Sequence, residues 1–257
     1  MKRQYRYEMH CHTGIASVCG RLSPENLVKW YAGLGYSGLC LTDHFSGADP
    51  FPGSPWEARV KSYWDAYART RAAGERLGLT VFWGIEYALA PDPDHFLHTK
   101  GTDFLLYNLS KEFLMDNRSI FYSKPADLFQ IMRSGGVFVV QAHPFAESAH
   151  IESIQLLPRS VDAVETLNGN KKLFENDMAR IYAGMYGLPE TAGSDCHNAP
   201  WPYMCGLQTD APCSSIMELI AAIRSKQTRM FAIRIYGERR LTSDENVITE
   251  DYPAGKI

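Results

Sequence analysis

None of the six cysteines (Cys11, Cys19, Cys40, Cys196, Cys205 and Cys213) belongs to a CxxC pair, which speaks against a zinc finger. No run of about 18 apolar residues occurs, so no membrane helix is expected. The opening MKRQYRYEMHCH lacks the roughly 7–15 apolar residues that a signal peptide needs. Excess basic charge is also missing. The net charge of -3, with no basic stripe, argues against a membrane surface or a long nucleic acid as partner. Low-complexity linkers and tandem repeats are absent. Several cysteines sit in apolar or histidine-rich segments, which suits reduced thiols in a cytoplasmic protein better than a disulfide frame.

What is present is a composition 45% hydrophobic and 21% charged, normal for a soluble globular chain. The 257 residues suit one α/β barrel, a single domain with a core at about 4–235 and a polar tail at 236–257. Short apolar runs recur, each ending in a polar residue and followed by a helix-like stretch. Seven qualify: Tyr5 to Met9, Gly38 to Thr42, Thr80 to Ile85, Asp103 to Tyr107, Val137 to Gln141, Val161 to Thr166, and Glu190 to Gly193. Between them, Ser23-Pro24-Glu25 opens a helix with a cap and a proline at its first position, and Gly35 ends it. Trp56 to Leu77, a segment opening at Lys124-Pro125, Lys172 to Tyr186, and Ser214 to Ser225 follow the same spacing, with a further strand at Arg229 to Ile233. Seven β/α units predict a distorted (β/α)7 TIM-like barrel, whose chemistry belongs at the carboxyl ends of the strands.

Chemical residues gather at those ends. His10-Cys11-His12 places two imidazoles on one strand face, able to converge on one ion, with Cys11 turned into packing. Two surface histidines would read the same. Thr42-Asp43-His44 offers one ligand, since Asp43 and His44 face opposite ways. Glu86 follows Gly84-Ile85, where a carboxylate can bridge two cations or simply lie on the surface. His143 leaves an apolar strand, where a satisfied core histidine is the bland alternative. Asp195-Cys196-His197 repeats the same-face geometry of the first motif. Five of the eight histidines thus fall at expected strand ends beside Glu86 and Asp195, a convergence that a bland barrel does not need.

The ordered set HxH, TDH, GxE, AHP and GSDxH resembles the PHP (polymerase and histidinol phosphatase) superfamily, over roughly residues 7–200. Val164-Glu165-Thr166-Leu167-Asn168-Gly169 is similar to that family's VEVxNG segment. The resemblance implies a distorted seven-stranded barrel holding two or three divalent ions, zinc, manganese or iron. By position, His10, His12, Glu86 and Asp195 would hold one ion. Glu86 would bridge to a second, shared with His143, and His44 and His197 would hold a third. Asp43 and Asn168 would orient ligands from behind. Two departures stand out. Ser17 or Cys19 occupies a place where relatives supply another ligand to the third ion. Asp103 stands where many present a histidine on the fourth strand, with His98 and, less so, His95 as substitutes.

The activity implied is hydrolysis of a small phosphomonoester or phosphodiester, nucleotide-like or histidinol-phosphate-like. Such hydrolysis is slow enough in water that a catalyst supplies more than about 20 kcal/mol. A metal-bound hydroxide at neutral pH would attack phosphorus, with Glu86, Asp195 and His197 as catalytic residues. Lys171 and Lys172 are candidate phosphate anchors, or else a solvated pair at a helix start. The rival expectations are an amidohydrolase-type metal hydrolase and a metal-binding barrel with a regulatory role and no turnover. The sequence does not specify the oligomeric state.

Overall fold

The computed structural model describes residues 4–45, 51, 54–89, 102–121, 125–148, 151 and 153–253. Its strands are β1 (Tyr5–Cys11), β2 (Gly38–Leu41), β3 (Thr80–Leu89), β4 (Thr102–Tyr107), β5 (Phe138–Gln141), β6 (Ala163–Asn168), β7 (Glu190–Gly193), β8 (Tyr203–Thr209), β9 (Arg229–Arg234) and β10 (Ile248–Asp251). The helices are α1 (Pro24–Gly33), α2 (Trp56–Glu75), α3 (Lys111–Asp116), α4 (Pro125–Ser134), α5 (Leu173–Tyr186) and α6 (Ile216–Arg224). All seven expected runs are strands, with ends shifted by a few residues.

One sheet holds every strand, in the order β10-β9-β8-β1-β2-β3-β4-β5-β6-β7. The sheet curls into a half-barrel, and the chain just beyond β7 returns to β1. Asp195 N–H donates to the His10 carbonyl at 2.8 Å, and His12 N–H donates to the Cys196 carbonyl at 3.1 Å. β1 therefore changes partner along its length: its first half pairs antiparallel with β8, and its end meets the segment after β7. The close approach of β8 needs Gly206, where a Cβ would stand 2.3 Å from the Tyr7 carbonyl oxygen.

The regular (β/α)7 pattern does not hold throughout. β4 runs antiparallel to both β3 and β5, with Ala88 opposite Asp103 and Leu106 opposite Val139. A reversed strand starts at the end of the barrel where its neighbours finish. Asp103 therefore reaches the same mouth as Glu86, from the beginning of its strand rather than its end.

Tyr7, Met9, Phe82, Leu105, Tyr107, Phe138, Val140, Leu167 and Leu207 fill the inside of the curl, and Leu219, Ile220 and Ile223 of α6 join that cluster. α2, α3 and α4 cover β3, β4 and β5, while α1 covers β1 and β2. The final segment is more than a polar tail. Leu241 and Val247 are buried in the inner cluster, and β10 adds a parallel edge to β9. Thr242 donates its hydroxyl to Asp177 at 2.8 Å, fixing that segment to α5. Among the described residues no helix is long and apolar enough to cross a membrane.

Candidate metal centre

A β-bulge aims the first two candidate ligands, His10 and His12. Glu8 pairs with Leu39 but Cys11 with Leu41, so β1 carries one extra residue against β2 there. Tyr7 and Met9 face the inner cluster, and strict alternation would send Cys11 inward as well. Instead Cys11 packs with Leu27, Val28 and Tyr31 of α1. The bulge reverses the alternation and leaves His10 and His12 pointing into the barrel mouth. The Glu8 carboxylate holds it in shape: one oxygen accepts the N–H groups of His10 and Ser194, both at 2.8 Å, and the other accepts the Tyr31 hydroxyl at 2.9 Å. Burial is the main cause that pushes the Glu8 carboxyl up to about 7, against those hydrogen bonds.

Both imidazoles are fixed at Nδ1 and open at Nε2. His10 Nδ1 lies 3.0 Å from Glu165 Oε1. His12 Nδ1 lies 3.3 Å from Ser17 Oγ, whose own proton goes to Asp43 at 2.9 Å. His197 Nδ1 faces the Asp195 carbonyl at 2.8 Å. In each ring the proton belongs on Nδ1, which leaves the Nε2 lone pair free for an ion.

Glu86, at 1% exposure, is the hub. Its Oε1 is 3.4 Å from His10 Nε2 and 3.3 Å from His143 Nε2; its Oε2 is 3.4 Å from His12 Nε2 and 2.7 Å from His44 Nδ1. Asp195 Oδ1 is 3.6 Å from His10 Nε2 and 3.4 Å from His12 Nε2. Asp103 Oδ2 is 4.0 Å from His143 Nε2. Four donor groups emerge among the described residues: His12, His44 and His197; His10, His12 and Glu86; Glu86, Asp103 and His143; and His10, His143 and Glu165. Within each, the donor atoms lie within 4.8 Å of one another. The rings of His44 and His197 stack on His12, with centroids 4.4 Å and 4.3 Å away.

These residues fit divalent ions on their own chemistry. His10 Nε2 and His12 Nε2 are buried without a hydrogen-bond partner. A lone pair facing a carboxylate 3.4 Å away is repulsive unless a cation lies between. Two ligands about 2.1 Å from one tetrahedral ion stand about 3.4 Å apart. Two residues of the cluster also have strained backbones: His143 has φ 27° and Asp195 has φ 51°, a region that side chains larger than glycine rarely adopt.

The charges respond accordingly. Burial opposes ionisation of Glu86, yet His44 and His10 hold its carboxyl well below the usual range. Asp195 is held low in the same way, against burial, by Lys171 and His10. His12 is pushed well below its ordinary value by burial and by His197 and His44. Asp103 is raised to about 6, by burial and by the Glu86 charge. Burial also opposes ionisation of Cys19, but hydrogen bonds with His197 and His44 outweigh it and bring the thiol down to about 6.

A cavity of about 520 Å³ opens over this cluster, walled by Cys19, Arg21, Asp103, Lys171, His197 and Trp201 among others. The structure brings His10, His12, His44, Glu86, Asp103, His143, Asp195 and His197 together. Ser17 stands behind His12, and Cys19 is the member of that pair on the cavity wall. Asp43 accepts from Thr13 N–H at 2.6 Å and its hydroxyl at 2.7 Å, bracing the loop that carries Ser17. Asn168 acts one step further back, donating to Glu165 Oε2 at 2.9 Å. Lys171 meets Asp195 Oδ2 at 3.2 Å. Lys172 does not line the cavity; it pairs with Glu147 at 3.8 Å on the surface. His95 and His98 lie outside the described residues.

Glu165 and Glu8 are supporting residues that the sequence reasoning passed over. Each is an acid inside an apolar strand, and that mismatch was the available signal.

The PHP domain family model matches residues 8–181, and a PHP-associated model matches residues 174–201. This chain belongs to the PHP domain family. The PolC-type DNA polymerase III of Oceanobacillus iheyensis is 26% identical over 147 residues, which is 56% of this chain and 9% of the polymerase. The PHP domain chain thus matches less than a tenth of that relative's length. Among solved structures, the lesion-specific endonuclease PfuEndoQ from Pyrococcus furiosus superposes with a TM-score of 0.55 at 12% identity, covering 91% of this chain and 60% of that one. An amidohydrolase from Chromobacterium violaceum, with bound sulfate and no metal, gives 0.52 at 14% identity, covering 84% and 96%. At these identities both show a shared fold.

Proposed function

We propose that this PHP domain protein is a metal-dependent hydrolase of a small phosphorylated molecule, a phosphoesterase using two or three divalent ions such as zinc, manganese or iron. The observation that carries the proposal is the position of Glu86, within 3.4 Å of nitrogens on four histidines, two of which, His10 and His12, are braced from behind at Nδ1.

His10, His12, Glu86 and Asp195 would hold one ion. Glu86, Asp103 and His143 would hold a second. His44 and His197, joined by His12 or Cys19, would hold a third. Bound there, such ions supply a nucleophilic water of lowered pKa and charge compensation for the phosphoryl oxygens. The chain's own residues prepare that chemistry. Glu165, Ser17 and the Asp195 carbonyl fix the tautomers of His10, His12 and His197. Glu86 shares one carboxylate among the donor groups, so their spacing is set by a single side chain. Lys171 neutralises the outer oxygen of Asp195 and leaves the inner one facing His10 and His12. Burial of the cluster keeps bulk water from screening these charges.

An amidohydrolase-type site with a bridging lysine is less well supported. Lys171, which lines the cavity, is committed to Asp195. The test is chelation followed by metal add-back on p-nitrophenyl phosphate and bis-p-nitrophenyl phosphate, beside an amide and lactone panel. Phosphoester turnover should vanish and return with the metal. Turnover confined to amides or lactones would overturn the proposal, and tight metal binding with no turnover would favour a regulatory barrel.

A further inference from the structure

We infer that Arg21 is the residue that selects the substrate's phosphate, and that it favours a phosphomonoester dianion over a diester. The inference rests on the metal-dependent phosphoesterase reading and deepens it.

Besides histidines, two basic side chains line the cavity among the described residues, Arg21 and Lys171. They are not equivalent. Lys171 already faces a carboxylate oxygen 3.2 Å away, so its charge is largely answered. Arg21 has no ion pair and no side-chain hydrogen bond among the described residues. Its backbone, in contrast, is tightly held: Arg21 N–H donates to the His197 carbonyl at 2.7 Å. The loop carrying it is closed by Gly14 N–H to the Leu22 carbonyl at 2.8 Å and by Gly20 N–H to the Ser17 carbonyl at 3.1 Å. Gly20 admits that closure, because a Cβ there would lie 2.2 Å from the Thr13 carbonyl oxygen. An uncommitted guanidinium thus sits on a braced loop, one hydrogen bond from the His197 loop.

A guanidinium offers a planar fork of donors that matches two phosphate oxygens at once. A phosphomonoester brings three non-bridging oxygens and close to two negative charges at neutral pH. A diester brings two such oxygens and one charge. Once the donor cluster has engaged part of the phosphate, the monoester retains an oxygen and a charge for Arg21, and the diester has less to give. Trp201 forms a wall for the rest of the molecule: its indole N–H donates to the Ser194 carbonyl at 3.1 Å, holding the ring beside His197.

The experiment compares metal-loaded wild type, Arg21→Ala and Arg21→Lys. KM and kcat are measured on p-nitrophenyl phosphate and bis-p-nitrophenyl phosphate, and inorganic phosphate binding is followed by calorimetry. In Arg21→Ala, KM for the monoester should rise by roughly tenfold or more, phosphate affinity should fall by a similar factor, and KM for the diester should change far less. Arg21→Lys should recover part of the loss, since it restores the charge without the fork. Equal effects on both esters, or unchanged phosphate affinity, would overturn the assignment of Arg21 while leaving the phosphoesterase reading intact. Turnover of neither ester by wild type would remove both.

Discussion

His10 and Glu165 are joined by a 3.0 Å contact between imidazole Nδ1 and carboxylate Oε1, and each side chain is fully buried. The second oxygen of Glu165 accepts from the His143 backbone N–H at 3.1 Å. One carboxylate therefore sets the ring of His10 and the strained backbone of His143.

Replacing Glu165 by Gln would present an amide to a ring nitrogen that already carries a proton. We expect metal affinity to fall by about 10–100-fold. Competition against a chromogenic chelator measures this directly. Wild-type affinity in the variant would show that the contact contributes packing alone.

Glu86→Gln removes the charge shared by the donor groups and keeps the side chain's shape. Turnover of a model phosphoester should drop by about three orders of magnitude or more. The far-ultraviolet spectrum should stay unchanged, and the bound metal per chain should decline. Full activity in this variant is incompatible with the proposed centre.

Asp103 gives the site a pH dependence with a defined sign. Its carboxyl is raised to about 6, by burial and by the Glu86 charge, so below that pH it holds a proton that an ion must displace. His44, raised against burial mainly by Glu86, acts in the same direction. Metal uptake should strengthen as pH rises from about 5 to about 7 and weaken on acidification. Manganese titrations at several pH values should show the trend, and Asp103→Asn should flatten it.

Gly193→Ala tests the seam between β7 and β1. The added Cβ would stand 2.4 Å from the His10 Cβ and 2.8 Å from Glu165 Oε1, so backbone has to move. A loss of roughly 1–3 kcal/mol is expected, visible as a lower Tm, together with weaker metal binding.

The seven central strands were legible because each is a short apolar run ending in a ligand-type residue. The direction of β4 was not, since alternation is the same read either way along a strand. β8 was hidden by Gly206 and by the weakly patterned Met204, Cys205 and Gln208, and its pairing depends on β1, with Tyr5 opposite Thr209 and Tyr7 opposite Leu207. β10 carries a single strongly apolar residue, Ile248, and exists because β9 offers it an edge. In the site, histidine spacing pointed directly to the side chains that the fold gathers around Glu86. Lys171 and Lys172 look alike in the text and differ only by which way the chain turns. Arg21 lies in a loop without a motif, so only the fold shows it beside His197.

The extra residue in β1 has a consequence for how the chain can change over evolutionary time. Deleting one residue between Glu8 and Cys11 would make the ladder to β2 regular, an apparent gain in order. Such a deletion would leave Cys11 opposite Leu41 and facing α1, and would remove either the inward Met9 or the inward His10. Straightening the strand without a deletion would instead turn both imidazoles toward α1 and Cys11 toward the barrel mouth. The extra residue therefore lets an inward core side chain and two inward imidazoles share one short strand, and shifts of register in this stretch should be far less tolerated than substitutions.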